Sequence, residues 1–111
     1  MIAFQDYILA VPSEIQMRLL YVLVFVHSKL PFAEQRIYHG VPTFFMKERD
    51  VLNIGAYKDH FGVYVGYSLV EYLKCKYPMY QYTKTSIKFP YTQEIPYDIL
   101  NDICGKIKGT V

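Results

Sequence analysis

A chain of 111 residues with 52% hydrophobic residues and a net charge of +2 has the size and composition of one globular domain. Its apolar residues are spread along the whole length, which excludes a disordered chain, and its twelve basic residues against ten acidic ones argue against nucleic acid as the main partner. The longest unbroken apolar run, Leu19 to Val26, falls far short of the roughly 20 residues that a membrane-spanning helix needs.

At the start of the chain Asp6 interrupts the apolar residues and no basic residue precedes them, so no secretory signal is expected and the expected location is cytoplasmic. Phe4, Tyr7 and Ile8 form a short apolar face. Pro12 suits the first turn of a helix, and Ile15, Leu19, Val22 or Leu23, and Val26 then recur at helical spacing until Pro31 closes the helix near Leu30. The middle of the chain reads as short strands with tight connections. Gln35 to Tyr38 is the first, and Gly40 with Pro42 separates it from Thr43 to Lys47. Glu48, Arg49 and Asp50 make a polar turn before Val51 to Tyr57, and Lys58-Asp59 makes a second turn before His60 to Val65.

A helix is predicted from a Ser68 cap to Tyr77, ended by Pro78, followed by a strand from Ser86 to Phe89 stopped by Pro90. The last helix opens at Pro96, with Asp98 in its first turn and Lys106 and Lys108 in its last, as the helix dipole favours. Cys75 and Cys104 lie in helical patterns outside any Cys-x-x-Cys pair and read as reduced thiols, one or both buried. Residues 1–111 therefore read as a single α+β domain. The expected architecture is a two-layer sandwich, a mainly antiparallel sheet of about five strands with the N- and C-terminal helices on one face.

Alternation along the strands assigns the two faces of that sheet. Leu52, Ile54, Ala56, Phe61, Val63, Val65, Ile87 and Phe89 form the greasier rows that helices should cover. The open face then gathers Asn53, Tyr57, His60, Tyr64, Ser86 and Lys88, with Gly55 and Gly62 among them permitting close approach to the backbone.

Segments along the chain resemble those of the YdhG-like family. Ala56-Tyr57-Lys58-Asp59-His60-Phe61-Gly62-Val63-Tyr64 is similar to the family's Ala-Phe-Lys-Asn-His-Ile-Gly-Leu-Tyr. Gly40-Val41-Pro42-Thr43-Phe44 resembles its Gly-Met-Pro-Ala-Phe, and Lys84-Thr85-Ser86-Ile87-Lys88-Phe89-Pro90 resembles its Lys-Gly-Thr-Ile-Arg-Phe-Pro. The chain departs from that pattern at His39, where an aromatic residue is usual, at Val65, where the family has proline, and at Thr85, where it has glycine. The resemblance implies a frataxin-like α/β sandwich and, from one branch of the family, an intracellular iron chaperone.

Three functions are open on these residues. Weak iron binding and delivery would draw on carboxylates with His39 or His60. However, Glu14, Glu34, Glu48, Asp50 and Asp59 are dispersed and no histidine pair stands at helical ligand spacing. Alternatively, a small anionic or aromatic molecule would bind the open face. Lys58, His60, Lys84, Ser86 and Lys88 would then be donors, and Phe44, Tyr57 and Tyr64 walls. A homodimer through Tyr57 and Tyr64 is the third. No cofactor beyond iron is implied. No nucleophile elbow, phosphate loop, zinc motif or carboxylate pair points to an enzyme. His60 reads as a half-buried, hydrogen-bonded histidine, with adjacent Asp59 directed to the opposite face.

Overall fold

The fold was obtained as a computed structural model that describes residues 2–110. A 3-10 turn, Ile2–Phe4, leads into helix α1, Gln5–Ala10, and then α2, Ser13–Lys29. Strands β1 (Glu34–Tyr38), β2 (Val41–Met46), β3 (Arg49–Ala56) and β4 (His60–Tyr64) follow as an antiparallel meander. Helix α3 (Tyr67–Lys76), β5 (Gln81–Tyr82), β6 (Ser86–Pro90) and α4 (Tyr97–Thr110) complete the described chain.

The sheet has six strands in the order β1-β2-β3-β4-β6-β5, all pairs antiparallel. The sixth is β5, whose two residues carry no readable alternation and pair only with Ile87 and Lys88 of β6. All five expected strands begin and end within two residues of their predicted limits. Helix α3 starts at Tyr67 rather than from a Ser68 cap. Gly66 occupies the N-cap position at φ 91°, a left-handed conformation that glycine adopts without strain. The N–H groups of Val65 and Gly66 both donate to the Thr85 carbonyl, which fixes this corner and ends β4 before Val65.

One apolar cluster joins the two layers. From the helical side it takes Phe4, Leu19, Leu23, Val26, Leu73, Leu100 and Ile103, and from the sheet Phe44, Leu52, Ile54, Phe61, Val63, Ile87 and Phe89. The greasier rows expected from alternation therefore do face the helices. Cys104 lies in this cluster, where burial pushes its thiol up to about 11, while Cys75 is exposed on α3. Among the described residues no helix is long and apolar enough to cross a membrane.

Two hairpin turns carry non-glycine residues in the left-handed region. His39, at φ 53°, precedes Gly40 between β1 and β2, and Lys47 and Glu48, at φ 52° and 64°, join β2 to β3. Such turns match the twist of the flanking strands but favour Asn-Gly over side chains with a bulky β-carbon. Replacing Lys47-Glu48 by Asn-Gly is therefore expected to stabilise the fold by about 1 kcal/mol, raising the melting temperature by about 4 °C. A thermal melt followed by circular dichroism checks this.

Candidate functional site

The register places the predicted open-face residues in cross-strand rows. Thr43, Asn53, Tyr64 and Ser86 are successive partners across β2, β3, β4 and β6, and Gly55, Gly62 and Lys88 form the next row. Tyr57, just past β3, folds its phenol back across the two glycines. A β-carbon at Gly55 would lie 2.5 Å from the Tyr57 hydroxyl, and one at Gly62 would lie 2.9 Å from the ring. The glycines thus form a cradle that the chain's own tyrosine fills.

Tyr57 is fixed there from several sides. Its hydroxyl lies 2.9 Å from that of Tyr64, its ring stacks on His60 at 5.3 Å, and its carbonyl accepts a 2.7 Å hydrogen bond from Tyr91. Burial, then the hydrogen bond and charge of Tyr64, hold the Tyr57 phenol well above the ordinary tyrosine range. Burial likewise raises Tyr91 to about 12. His60 Nδ1 lies 2.7 Å from an Asp59 carboxylate oxygen, a hydrogen bond that lowers the Asp59 carboxyl below its usual range. The expectation that Asp59 points away from His60 is corrected by this contact. Asp59 belongs to the turn, so strand alternation does not govern its side chain.

The other predicted residues separate. Phe44 is no wall of this face. At 0% exposure it packs edge-on to Phe4 within the core on the helical side, where strand parity directs it. Its neighbour Phe45, beside a register shift, lies outside the main cluster, against Tyr38 and the Arg36 guanidinium. Ser86 is only 2% exposed, and its hydroxyl is taken up by Thr83 at 2.6 Å, so it is no free donor. Lys88 is half-buried beside Gly62, while Lys58 and Lys84 are exposed on connections.

His39 and His60 are not brought together. His39 sits on the β1–β2 turn against Tyr38, and three strand spacings, about 14 Å, separate β1 from β4. Among the described residues no group of three or more His, Cys, Asp and Glu side chains is close enough to hold a metal ion. The residues present do not fit the iron site that the resemblance implies.

A concavity opens beside this face rather than on it. A groove of about 800 Å³ runs between the ends of β3 and β4, the start of α3 and the last turns of α4. Asn53 and Tyr64 line it from the sheet, Tyr67 and Tyr72 from α3, and Arg49 and Lys106 bring positive charge, against one carboxylate, Asp50. Lys106 Nζ lies 4.4 Å over the Tyr72 ring. Neither Arg49 nor Lys106 forms an ion pair among the described residues. Val65 and Thr85, two positions where the chain departs from the family-like segments, also line the groove. Sequence reasoning reached Asn53 and Tyr64 through alternation but missed Tyr67, Tyr72, Arg49 and Lys106. Their convergence depends on the packing of α3 and α4 around the sheet end, for which no local spacing is a signal.

No family model matches the sequence, and no curated protein matches it. Among solved structures, the fold is similar to the crystal structure of a DUF1801-family protein, YdhG, from Bacillus subtilis. The TM-score is 0.86 at 19% sequence identity, covering 93% of this chain and 86% of that one. At that identity the likeness shows the fold: this chain is a YdhG-like α+β sandwich.

Proposed function

We propose that this domain binds a small organic molecule bearing an acidic group, held in the groove between the sheet end, α3 and α4. The observation that carries this reading is the groove itself. It has the volume usual for small-molecule sites, aromatic walls from Tyr64, Tyr67 and Tyr72, and unpaired cations at Arg49 and Lys106. Hydroxyls of Ser68 and Thr85 on the same lining would orient the ligand. This moves the expected small-molecule site off the centre of the open face, where Tyr57 already occupies the glycine cradle, and keeps Tyr64 as the shared wall.

Chemical-shift mapping against a panel of aromatic and aliphatic carboxylates and phosphates tests the reading. Shifts are expected at Tyr64, Tyr67, Thr85 and Lys106, with Lys106→Glu weakening binding by about 10-fold or more, as reversal of a site charge would. Shifts centred on His60 and Lys88 would move the site back to the open face, and no shift with any acid would sink the proposal.

A further inference from the structure

Helix α2 is apolar on two faces. Ile15, Leu19, Val22, Leu23 and Val26 are buried against the sheet, yet Met17, Tyr21 and Val24 on the far side are 54%, 50% and 47% exposed. At 100° per residue, Met17, Tyr21, Val24 and Ser28 fall within an arc of about 60° opposite the core, and that arc contains no charged residue. A helix in a two-layer fold ordinarily turns charge to solvent there, and one that is apolar all round is normally covered.

The charges of α2 lie on one flank of this stripe, Glu14 in the first turn, Arg18 one turn on, where it donates to the Gln93 carbonyl, and Lys29 in the last. Lys29 leans along that flank with its Nζ 5.5 Å over the Phe25 ring. Neither Glu14 nor Lys29 has an ion-pair partner among the described residues.

We infer that the outward face of α2 is the contact surface for a second copy of this chain, with the two α2 helices packed antiparallel about a two-fold axis. Such an axis lays Met17, Tyr21 and Val24 of each copy against one another and sets the same flank of each helix together, reversed end for end. Each Glu14 then meets Lys29 of the partner subunit, giving two equivalent ion pairs beside an apolar seam. A parallel two-fold pairing would instead set these flanks on opposite sides of the seam, without those ion pairs. A helix of this length spans about 25 Å, and one helix pair covers less than the roughly 800 Å² per partner of a standard interface, so association in the micromolar range is expected.

Sedimentation equilibrium across the micromolar range tests this. A reversible monomer–dimer equilibrium is expected, abolished by Val24→Glu. Glu14→Lys or Lys29→Glu alone should weaken the dimer about five-fold, the effect of two exposed ion pairs turned repulsive. The double charge swap, Glu14→Lys with Lys29→Glu, should restore it. Thermal melts matching the parent's show that each variant is folded; should Val24→Glu fail that check, the exposed charge swaps carry the test. A chain that stays monomeric throughout overturns the inference, as does a double swap no tighter than either single variant. A dimer lost on Tyr57→Ala but untouched by Val24→Glu also overturns it, by placing the contact on the sheet face.

Discussion

Replacing Asp102 by alanine is expected to lower the melting temperature by about 8 °C, a loss of about 2 kcal/mol. Asp102, 16% exposed on α4, is the acceptor that ties α3 to α4. The Tyr72 hydroxyl donates to both of its oxygens at 3.1 Å, the Tyr77 hydroxyl at 2.9 Å and the Lys76 ammonium at 3.0 Å. Alanine leaves the partly buried Tyr72 and Tyr77 hydroxyls without this acceptor, while the exposed Lys76 ammonium turns to water, and the cost of leaving donors unmet exceeds the net worth of the bonds. Asparagine keeps one acceptor oxygen without the charge and should cost about half as much.

The acid dependence of stability carries the same signature. Burial pushes the Asp102 carboxyl up, but the hydrogen bonds from Lys76, Tyr77 and Tyr72 outweigh it and hold the group below its ordinary value near 4. A carboxyl depressed in the folded state contributes stability that is present above its unfolded pKa and lost as pH falls through the folded one. Denaturant titrations on either side of pH 4 should therefore show a steeper acid loss for the parent than for Asp102→Asn. Parallel curves would show that Asp102 is solvated and that α3 is held by packing alone. The same bonds shape the proposed groove, since they set Tyr72, the ring beneath Lys106.

Replacing Gly55 by alanine is expected to expel the Tyr57 ring from the sheet face at a cost of about 1.5 kcal/mol. An added methyl would lie 2.5 Å from the Tyr57 hydroxyl and 2.7 Å from its ring, distances that no packing tolerates. Gly55 itself needs no unusual φ, so the backbone accepts alanine and the side chain must leave. Expulsion breaks the hydrogen bond to Tyr64 and the stack on His60. Phenolate absorbance gives a direct readout, because the raised Tyr57 titration should fall back toward the ordinary value near 10.

The linked stability change is alkaline. A phenol raised in the folded state contributes stability that is complete below its unfolded pKa and declines as pH rises beyond it. Gly55→Ala should remove that decline along with the shift. An unchanged titration would mean that the ring is held by its own turn and not by the glycine cradle. With Tyr57 gone, the hydroxyl of Tyr64 is released beside the groove, so the same variant reports whether the two regions act together.

The sequence by itself determined the order of helices and strands and the two faces of the central strands. These properties are local. The period of two separates Leu52 and Ile54 from Asn53 along the same few residues, and proline and glycine punctuate the ends. Short elements and corners escaped it. Strand β5 exists because β6 offers it an edge, and α3 starts at Tyr67, capped by Gly66, because the Thr85 carbonyl fixes the preceding turn.

The tertiary structure alone decided where side chains meet. Alternation put Tyr57 on the open face but could not show its ring lying on Gly55 and Gly62, nor Ser86 already satisfied by Thr83. It could not join Tyr72 to Lys106 and Arg49, which come from an α-helix, another helix and a strand end. The reason is physical: backbone periodicity fixes the direction of a side chain, whereas a site needs positions from distant elements, which only the packing of helices on the sheet supplies.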